Sequence, residues 1–290
     1  MEDSYRAIDA MNSSTLKHGL HSMLRMQRVI NGEWKLESDA AKIGTAIHVL
    51  VLEKDDFDDR YCELPAFEFS EDNKTDKGRP SKSKATSFYK SAVNEFLMQR
   101  PGIEILNAGQ MGVVKKAGRI ASQHPVMRQL LDEFDTQTEV TLLGEIEGVK
   151  CKARLDLVNP RLNQLLDLKT CTDASQRGFG RQFANLHYGF QLAFYRELYW
   201  QNYNCEPHVN ILAVETSGDY DRVNYPIPEC ALDLGYSKVC ETMRRYREAK
   251  QSDRWPGVDG GEDAVELYIP QWAMEDAGDD LVGFDQELAA

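Results

Sequence analysis

An α/β fold, with a mostly central mixed β-sheet flanked by helices, is the class that three features of this 290-residue sequence predict. The runs QTEVTLLGEIEG, VKCKARLDLVNP and NQLLDLKT are short and β-rich, with Gly148 and the Asn159-Pro160 turn between them. That is the pattern of three consecutive antiparallel strands. A further strand, HVNILAVET, follows a helical stretch over 180–203, and helical periodicity dominates the chain ahead of residue 134. Helices, three strands, a helix and another strand make a sheet covered by helical layers.

At the N-terminus, Ser13 or Ser14 can cap a helix running through LKHGLHSMLRMQR, since a serine hydroxyl accepts from an otherwise unpaired N–H of the first turn. A second helix is predicted in AAKIGTAIHVLVLE, where Ile43, Ile47, Leu50 and Val51 recur at helical spacing beside His48. Residues 70–90 contain Gly78, Pro80, Lys74, Lys77, Arg79, Lys82, Lys84 and Lys90. They read as a mobile basic loop, either a solvated insertion or an arm that contacts DNA. Residues 91–134 are helical, with interruptions at Pro101-Gly102 and Pro125. After the strands, the 180–203 helix has FQLAFYRELYW at its centre, and its Phe190, Phe194, Tyr199 and Trp200 are expected in the core. A last helix is predicted over 232–250.

Composition bounds the rest. Hydrophobic residues make up 42% of the chain, with no apolar run long enough to span a bilayer and no signal-peptide pattern at the start. A cytoplasmic protein without membrane partners is expected. The six cysteines are scattered with no C-x-x-C pair, which argues against structural zinc and for reduced thiols. The net charge of −13 is concentrated in residues 255–290, which hold ten acidic residues and no Lys or Arg. The remainder, residues 1–254, carries 34 basic and 37 acidic side chains and is expected to be one domain. The acidic tail reads as a solubilising end or as a segment that competes for a basic groove or docks on a neighbouring subunit. Its LYIPQW cluster is expected to pack.

The residues that carry chemistry sit in the predicted strands. Asp156 in ARLDLV and Asp167 in LLDLKT are carboxylates embedded among apolar neighbours, which is unfavourable without a partner or a cation. Alternation places Asp167 and Lys169 on one face and Leu168 on the other. Alone, an Asp-x-Lys pair reads as a plain ion pair. Its company raises the signal: His48 in GTAIH, Glu139 ahead of the Asp156 strand, and Gln191 and Tyr195 one helical turn apart. His18, His21, His124, His187 and His208 read as surface or capping residues. Arg177 and Arg181 follow the Asp-x-Lys strand and either reach phosphates or lie in a solvated loop.

GTAIH, the Asp156 strand, DLKT and QLAFY resemble, in order and spacing, the motifs of the RecB-like branch of the PD-(D/E)XK nucleases. The likeness is to the RecE family, exodeoxyribonuclease VIII and its phage relatives, and extends to NSSTLK, YGFQLAFY and the WPG…LYIPQWA ending. The resemblance implies a restriction-endonuclease-like core. It implies His48, Asp156, Asp167 and the backbone carbonyl of Leu168 as metal ligands. It further implies that Lys169 orients or activates the attacking water, that Gln191 and Tyr195 position the DNA or the catalytic groups, and that Glu139 assists a second metal or its water. Mg²⁺ would be the cofactor, with Mn²⁺ able to substitute.

The activity so implied is exonucleolytic hydrolysis at double-stranded DNA ends, 5′ to 3′, leaving 3′ overhangs for recombination. The partner would be a RecT-type annealing protein, and the assembly a ring-like homo-oligomer, trimer or tetramer, in a bacterial or phage-infected cytoplasm. Lys82, Lys84, Arg177 and Arg181 are the candidate DNA contacts. Two other readings stand beside this one. They are a RecB-like single-strand or flap nuclease in repair, and a non-catalytic DNA-end or protein-binding module of the same fold.

Overall fold

The computed structural model describes residues 2–34, 38–261, 264 and 266–269. In chain order the helices α1 (Glu2–Ala7), α2 (Ser13–Leu16), α3 (Met23–Ile30), α4 (Asp39–Leu52) and α5 (Phe57–Arg60) precede β1 (Tyr61–Glu63). Then come α6 (Ser87–Met98), β2 (Glu104–Leu106), α7 (Ala108–Ser122) and α8 (Pro125–Asp132). The main strands are β3 (Gln137–Ile146), β4 (Val149–Asn159) and β5 (Gln164–Cys171). After them run α9 (Gln176–Asn185), α10 (Tyr188–Tyr203), β6 (His208–Glu215), β7 (Arg222–Pro226) and α11 (Glu229–Ser252).

The five-stranded sheet has the order β3-β4-β5-β6-β7, and only β5 and β6 run parallel. The three expected antiparallel strands and the strand at 208 are present. The edge strand β7 and the short parallel pair β1/β2 were not anticipated.

Both faces of the sheet are covered, so its central strands are apolar on both sides. One face packs Leu155, Leu165 and Ile211 against Leu16, Met23, Phe194, Leu198 and Met243. The other packs Leu157, Leu166, Leu168 and Leu212 against Ile47 of α4, Val114 of α7 and Met127 of α8. The result is an α/β/α arrangement of the restriction-endonuclease-like type.

Helix ends follow local chemistry, with corrections. Asn12, not Ser13 or Ser14, is the first cap, its side chain accepting from Thr15 N at 2.8 Å. The helix expected over LKHGLHSMLRMQR is broken into α2, a 3-10 turn over Lys17–Leu20, and α3, which Ser22 caps. Gly19 lies at the break because a Cβ there would stand 2.6 Å from Thr242 Cγ2, so the turn presses directly on α11. The 180–203 helix is also two helices, separated at His187, whose φ is +56°. Phe190, Phe194 and Tyr199 are core, but Trp200 is 47% exposed.

The basic loop is organised by a buried asparagine instead of being free. Asn73 Nδ2 donates to the carbonyls of Glu68 and Ser83, and its Oδ1 accepts from Thr86 Oγ1. In the acidic tail, Pro256 O accepts from Leu24 N, and Trp255 packs on Tyr246. Leu267 and Tyr268, expected to pack, are exposed. Pro270, Gln271 and Trp272 lie outside the described residues. No helix among the described residues is long and apolar enough to cross a membrane.

Candidate active site

The site forms where the sheet opens. β4 and β5 pair only at Asn159↔Gln164, Val158↔Leu165 and Leu157↔Leu166. Beyond that point Asp156 replaces the ladder, its Oδ2 accepting the Leu168 N–H at 2.7 Å. The vacated edge of β4 is taken by the N-terminal segment, with Met11 N donating to Lys150 O and Lys152 N to Met11 O.

The β3/β4 ladder is interrupted at the same level. Thr138↔Leu157 and Val140↔Leu155 pair, while Glu139 and Asp156 between them do not. Side-chain alternation shifts there: Cys151, Ala153, Leu155 and Val158 of β4 join one core cluster and Leu157 the other. Such an interruption re-aims side chains, as a bulge does. Glu139 has φ +52° and, among the described residues, is the one positive-φ position inside a strand.

These breaks, with α4 above, bring charged groups together. Ser38 starts α4 by accepting from Ala41 N, and three turns on His48 meets Asp156, Nδ1 to Oδ2, at 3.3 Å. Ligand atoms of His48, Glu139 and Asp156 all lie within 4.8 Å of one another. They line a cavity of about 320 Å³ together with Gly44, Thr45, Glu53, Arg154 and Thr170. On β5, Lys169 Nζ and Asp167 Oδ2 are 2.7 Å apart, with Lys169 also over the Tyr188 ring. From α10, Gln191 Nε2 donates to Tyr195 OH at 2.8 Å.

Electrostatics ties these groups into one unit. Burial pushes the Asp167 carboxyl up; Lys169 holds it back and Asp156 raises it again, to about 6. Glu139 is pushed up to about 7 by burial and then by the Asp156 charge. Burial opposes ionisation of Asp156, but His48 and Lys169 outweigh it and hold its pKa below the ordinary value. His48 is raised: burial works against its charge and Asp156 prevails. Burial raises Tyr195, and the neighbouring Asp167 charge raises it further. For Lys169, burial lowers the pKa, but Asp167 and Asp156 more than reverse this. The two carboxylates thus favour the charged form of this lysine.

The structure thus gathers His48, Glu139, Asp156, Asp167, Lys169, Gln191 and Tyr195. Leu168 meets the cluster through its N–H. Glu139 lies closer to the centre than its sequence reading gave it, because the ladder skip turns it inward. Arg177 and Arg181 lie exposed on α9. Lys84 pairs with Glu68 at 3.3 Å, and Lys82 lies over the Phe69 ring. Sequence reading missed Arg154 and Glu53. Arg154 Nε contacts Glu139 Oε2 at 2.5 Å and its Nη2 contacts Glu53 Oε2 at 3.2 Å. Both partners of Arg154 come from elements distant in sequence, so no local pattern marked it.

A divalent cation fits this donor set. Asp167 Oδ1 is fully buried and accepts no hydrogen bond, an arrangement that native interiors rarely tolerate without a ligand. Carboxylate oxygens with one imidazole suit Mg²⁺ or Mn²⁺.

One solved structure shares this architecture. A candidate exonuclease from Eubacterium rectale superposes with a TM-score of 0.57 at 17% identity, over 93% of this chain and 94% of that one. A phage-related exonuclease from Haemophilus somnus 129PT aligns over 77% of this chain and 99% of that one, at 13% identity and a TM-score of 0.32. No curated protein matches the sequence. The model of the PDDEXK-like domain of unknown function DUF3799 matches residues 12–267. That span holds the opened sheet, the α4 histidine and the Asp-x-Lys strand, and the chain belongs to this PDDEXK-like family.

Proposed function

We propose that the chain is a divalent-metal-dependent deoxyribonuclease that degrades linear duplex DNA from its ends, 5′ to 3′, leaving 3′ single strands. One observation carries the reading: Asp167, with a buried Oδ1 that accepts no hydrogen bond, contacts Lys169 and feels the charges of Asp156 and His48. Lys169 meets Asp167 through Oδ2, which leaves Oδ1 for a further partner. A cation among these groups accounts for it.

His48, Asp156 and Asp167 would hold the ion together with Glu139, whose carboxylate lies within 4.8 Å of the ligand atoms of His48 and Asp156, and the Leu168 carbonyl would be a further ligand. When bound, it supplies positive charge against the negative charge that builds on the phosphate. Lys169, whose charged form Asp167 and Asp156 favour, would point a compact cation at the same place and orient the attacking water by donating to it. The Gln191–Tyr195 pair offers donors to the phosphate oxygens or to that water. Arg177, Arg181, Lys82 and Lys84 would meet the DNA backbone outside the cleft. Mg²⁺ is the working ion on this reading, with Mn²⁺ able to substitute. A RecT-type annealing protein would take up the 3′ strand, and a ring-like trimer or tetramer in the cytoplasm would keep the enzyme on its substrate.

Linear duplexes labelled at either the 5′ or the 3′ end test this reading. Rapid release of the 5′ label, its abolition by EDTA, and no attack on closed circles are expected. Degradation that persists in EDTA, or cutting of circles, would overturn the reading.

Metal binding should also depend on pH. Glu139 near 7 and Asp167 near 6 hold protons in the folded chain that the unfolded chain has released above about pH 4.5. The metal-free protein therefore loses stability at these two groups as pH rises through 4.5 to 7, because the native state binds more protons. A cation displaces those protons, so binding improves over the same window. Apparent Mn²⁺ affinity by calorimetry is expected to fall at least about tenfold between pH 7.5 and 5.5, given a factor of ten per unit for each proton displaced. An affinity that stays flat over that range would place the ion elsewhere.

A further inference from the structure

Behind the metal-facing side chains runs a chain of charges that the proposed reaction does not use. Arg154 of β4 forks between Glu139 of β3 and Glu53 at the C-terminal end of α4. Glu53 Oε1 in turn accepts from Arg60 Nη1 of α5 at 2.8 Å. The side chains of Glu53, Glu139 and Arg154 are at most 15% exposed. The elements that Arg154 joins are the ones that supply His48, Glu139 and Asp156.

We infer that Arg154 is a positioning residue for the metal centre: its guanidinium fixes the Glu139 carboxylate and the end of α4 so that Glu139, Asp156 and His48 converge on one ion. The inference rests on reading the site as a metal centre.

Three observations support it. Glu139 occupies a left-handed backbone conformation within a strand, unfavourable for a residue with a Cβ and kept only where surroundings enforce it. The bond to Arg154 is the polar contact at hand to do so. Second, the two contacts use different nitrogens of one planar group. A guanidinium can bind two carboxylates at a fixed angle, whereas a lysine ammonium presents a point charge on a flexible stem. Third, Arg154 contacts Glu139 through Oε2, and Glu139 still lines the cavity with His48 and Asp156, so the arginine can orient the ligand without replacing the ion. Groups that orient metal ligands in this way commonly change metal affinity by 10–100-fold when removed.

The test is Mn²⁺ binding without DNA, followed by calorimetry and by the electron paramagnetic resonance signal of free Mn²⁺. Arg154→Met is expected to weaken binding by about 10-fold or more in the native background and by less than about 2-fold in a Glu139→Gln background. That non-additivity is the signature of an effect carried through Glu139, and a general loosening of the fold would weaken both backgrounds equally. Arg154→Lys retains charge and is expected to weaken binding by a similar factor. It serves as the test should Arg154→Met fail to fold. Native-like Mn²⁺ affinity in Arg154→Lys, or equal losses in the two backgrounds, would overturn the inference. Asp156→Asn separates the two levels: if it leaves Mn²⁺ binding intact, the metal-centre reading itself fails. If it abolishes binding while the Arg154 variants bind normally, only the role of Arg154 falls.

Discussion

Lys169→Met is expected to lower the rate of linear duplex degradation by about 10²–10³, in line with losing a preorganised charge at the reacting phosphate, while DNA and Mn²⁺ still bind. The reason is the geometry on β5. Lys169 is held charged beside Asp167 and Asp156, so its removal leaves the ion's ligands in place but takes a fixed cation from the reaction. Asp167→Asn is expected to be equally inactive for a different cause, since it removes a proposed ligand, and its Mn²⁺ affinity should fall with its activity. Stability separates the pair further. Losing one partner of a buried ion pair generally costs about 3–5 kcal/mol when the other stays charged. Asp167 already has a raised pKa, so in Lys169→Met it can take up a proton, and the loss should be smaller and should shrink at lower pH. Steady-state digestion, calorimetry and thermal unfolding at pH 6 and 8 check each part. More than a tenth of native activity in either variant would remove both residues from the chemistry.

Much of this centre was visible in the sequence because it depends on local periodicity. Two-residue alternation put Asp167 and Lys169 on one face, and helical spacing put His48 at the edge of an apolar stripe. The features that were not visible depend on register. Glu139 reaches the centre only because the β3/β4 ladder skips one pair and because β4 leaves β5 at Asp156, and neither event has a Gly or Pro to announce it. Arg154 looked like any charged residue on a half-exposed strand until its partners on β3 and α4 were brought to it across the fold. The break at His187 is similar: its φ of +56° puts a non-glycine residue in the left-handed region, which is uncommon even though histidine is among the types that enter it more often. Gln182 Nε2, one turn earlier, donates to Thr170 O and to Tyr188 OH, pinning α9 to the end of β5 while α10 turns toward the Asp-x-Lys strand.

The position of α10 depends on a second contact, which gives Gly235→Ala a large expected effect on stability. Gly235 of α11 faces Gly189 of α10 so closely that a Cβ on it would lie 2.2 Å from Gly189 O and 2.7 Å from Gly189 C. Neither is a side-chain end that could rotate aside, so the helices would have to separate. Replacing a helical glycine by alanine ordinarily favours the fold by about 1 kcal/mol. Overpacking against backbone costs about 1–3 kcal/mol, and with an overlap this severe the upper part of that range applies and the steric term wins. At about 2–4 °C per kcal/mol for a domain near this size, Gly235→Ala should lower the midpoint of thermal unfolding by several degrees. Because α10 carries Gln191 and Tyr195, DNA hydrolysis should fall as well. Gly112→Ala supplies the contrast. It lies inside α7 with nothing within 4 Å of the added methyl, so propensity acts alone and the midpoint should rise by a degree or more. The same chemical change thus has opposite signs, set by whether another backbone lies against the glycine. If Gly235→Ala raised the midpoint as Gly112→Ala does, α10 and α11 could not cross backbone to backbone, and the placement of Tyr195 beside Asp167 would lose its support.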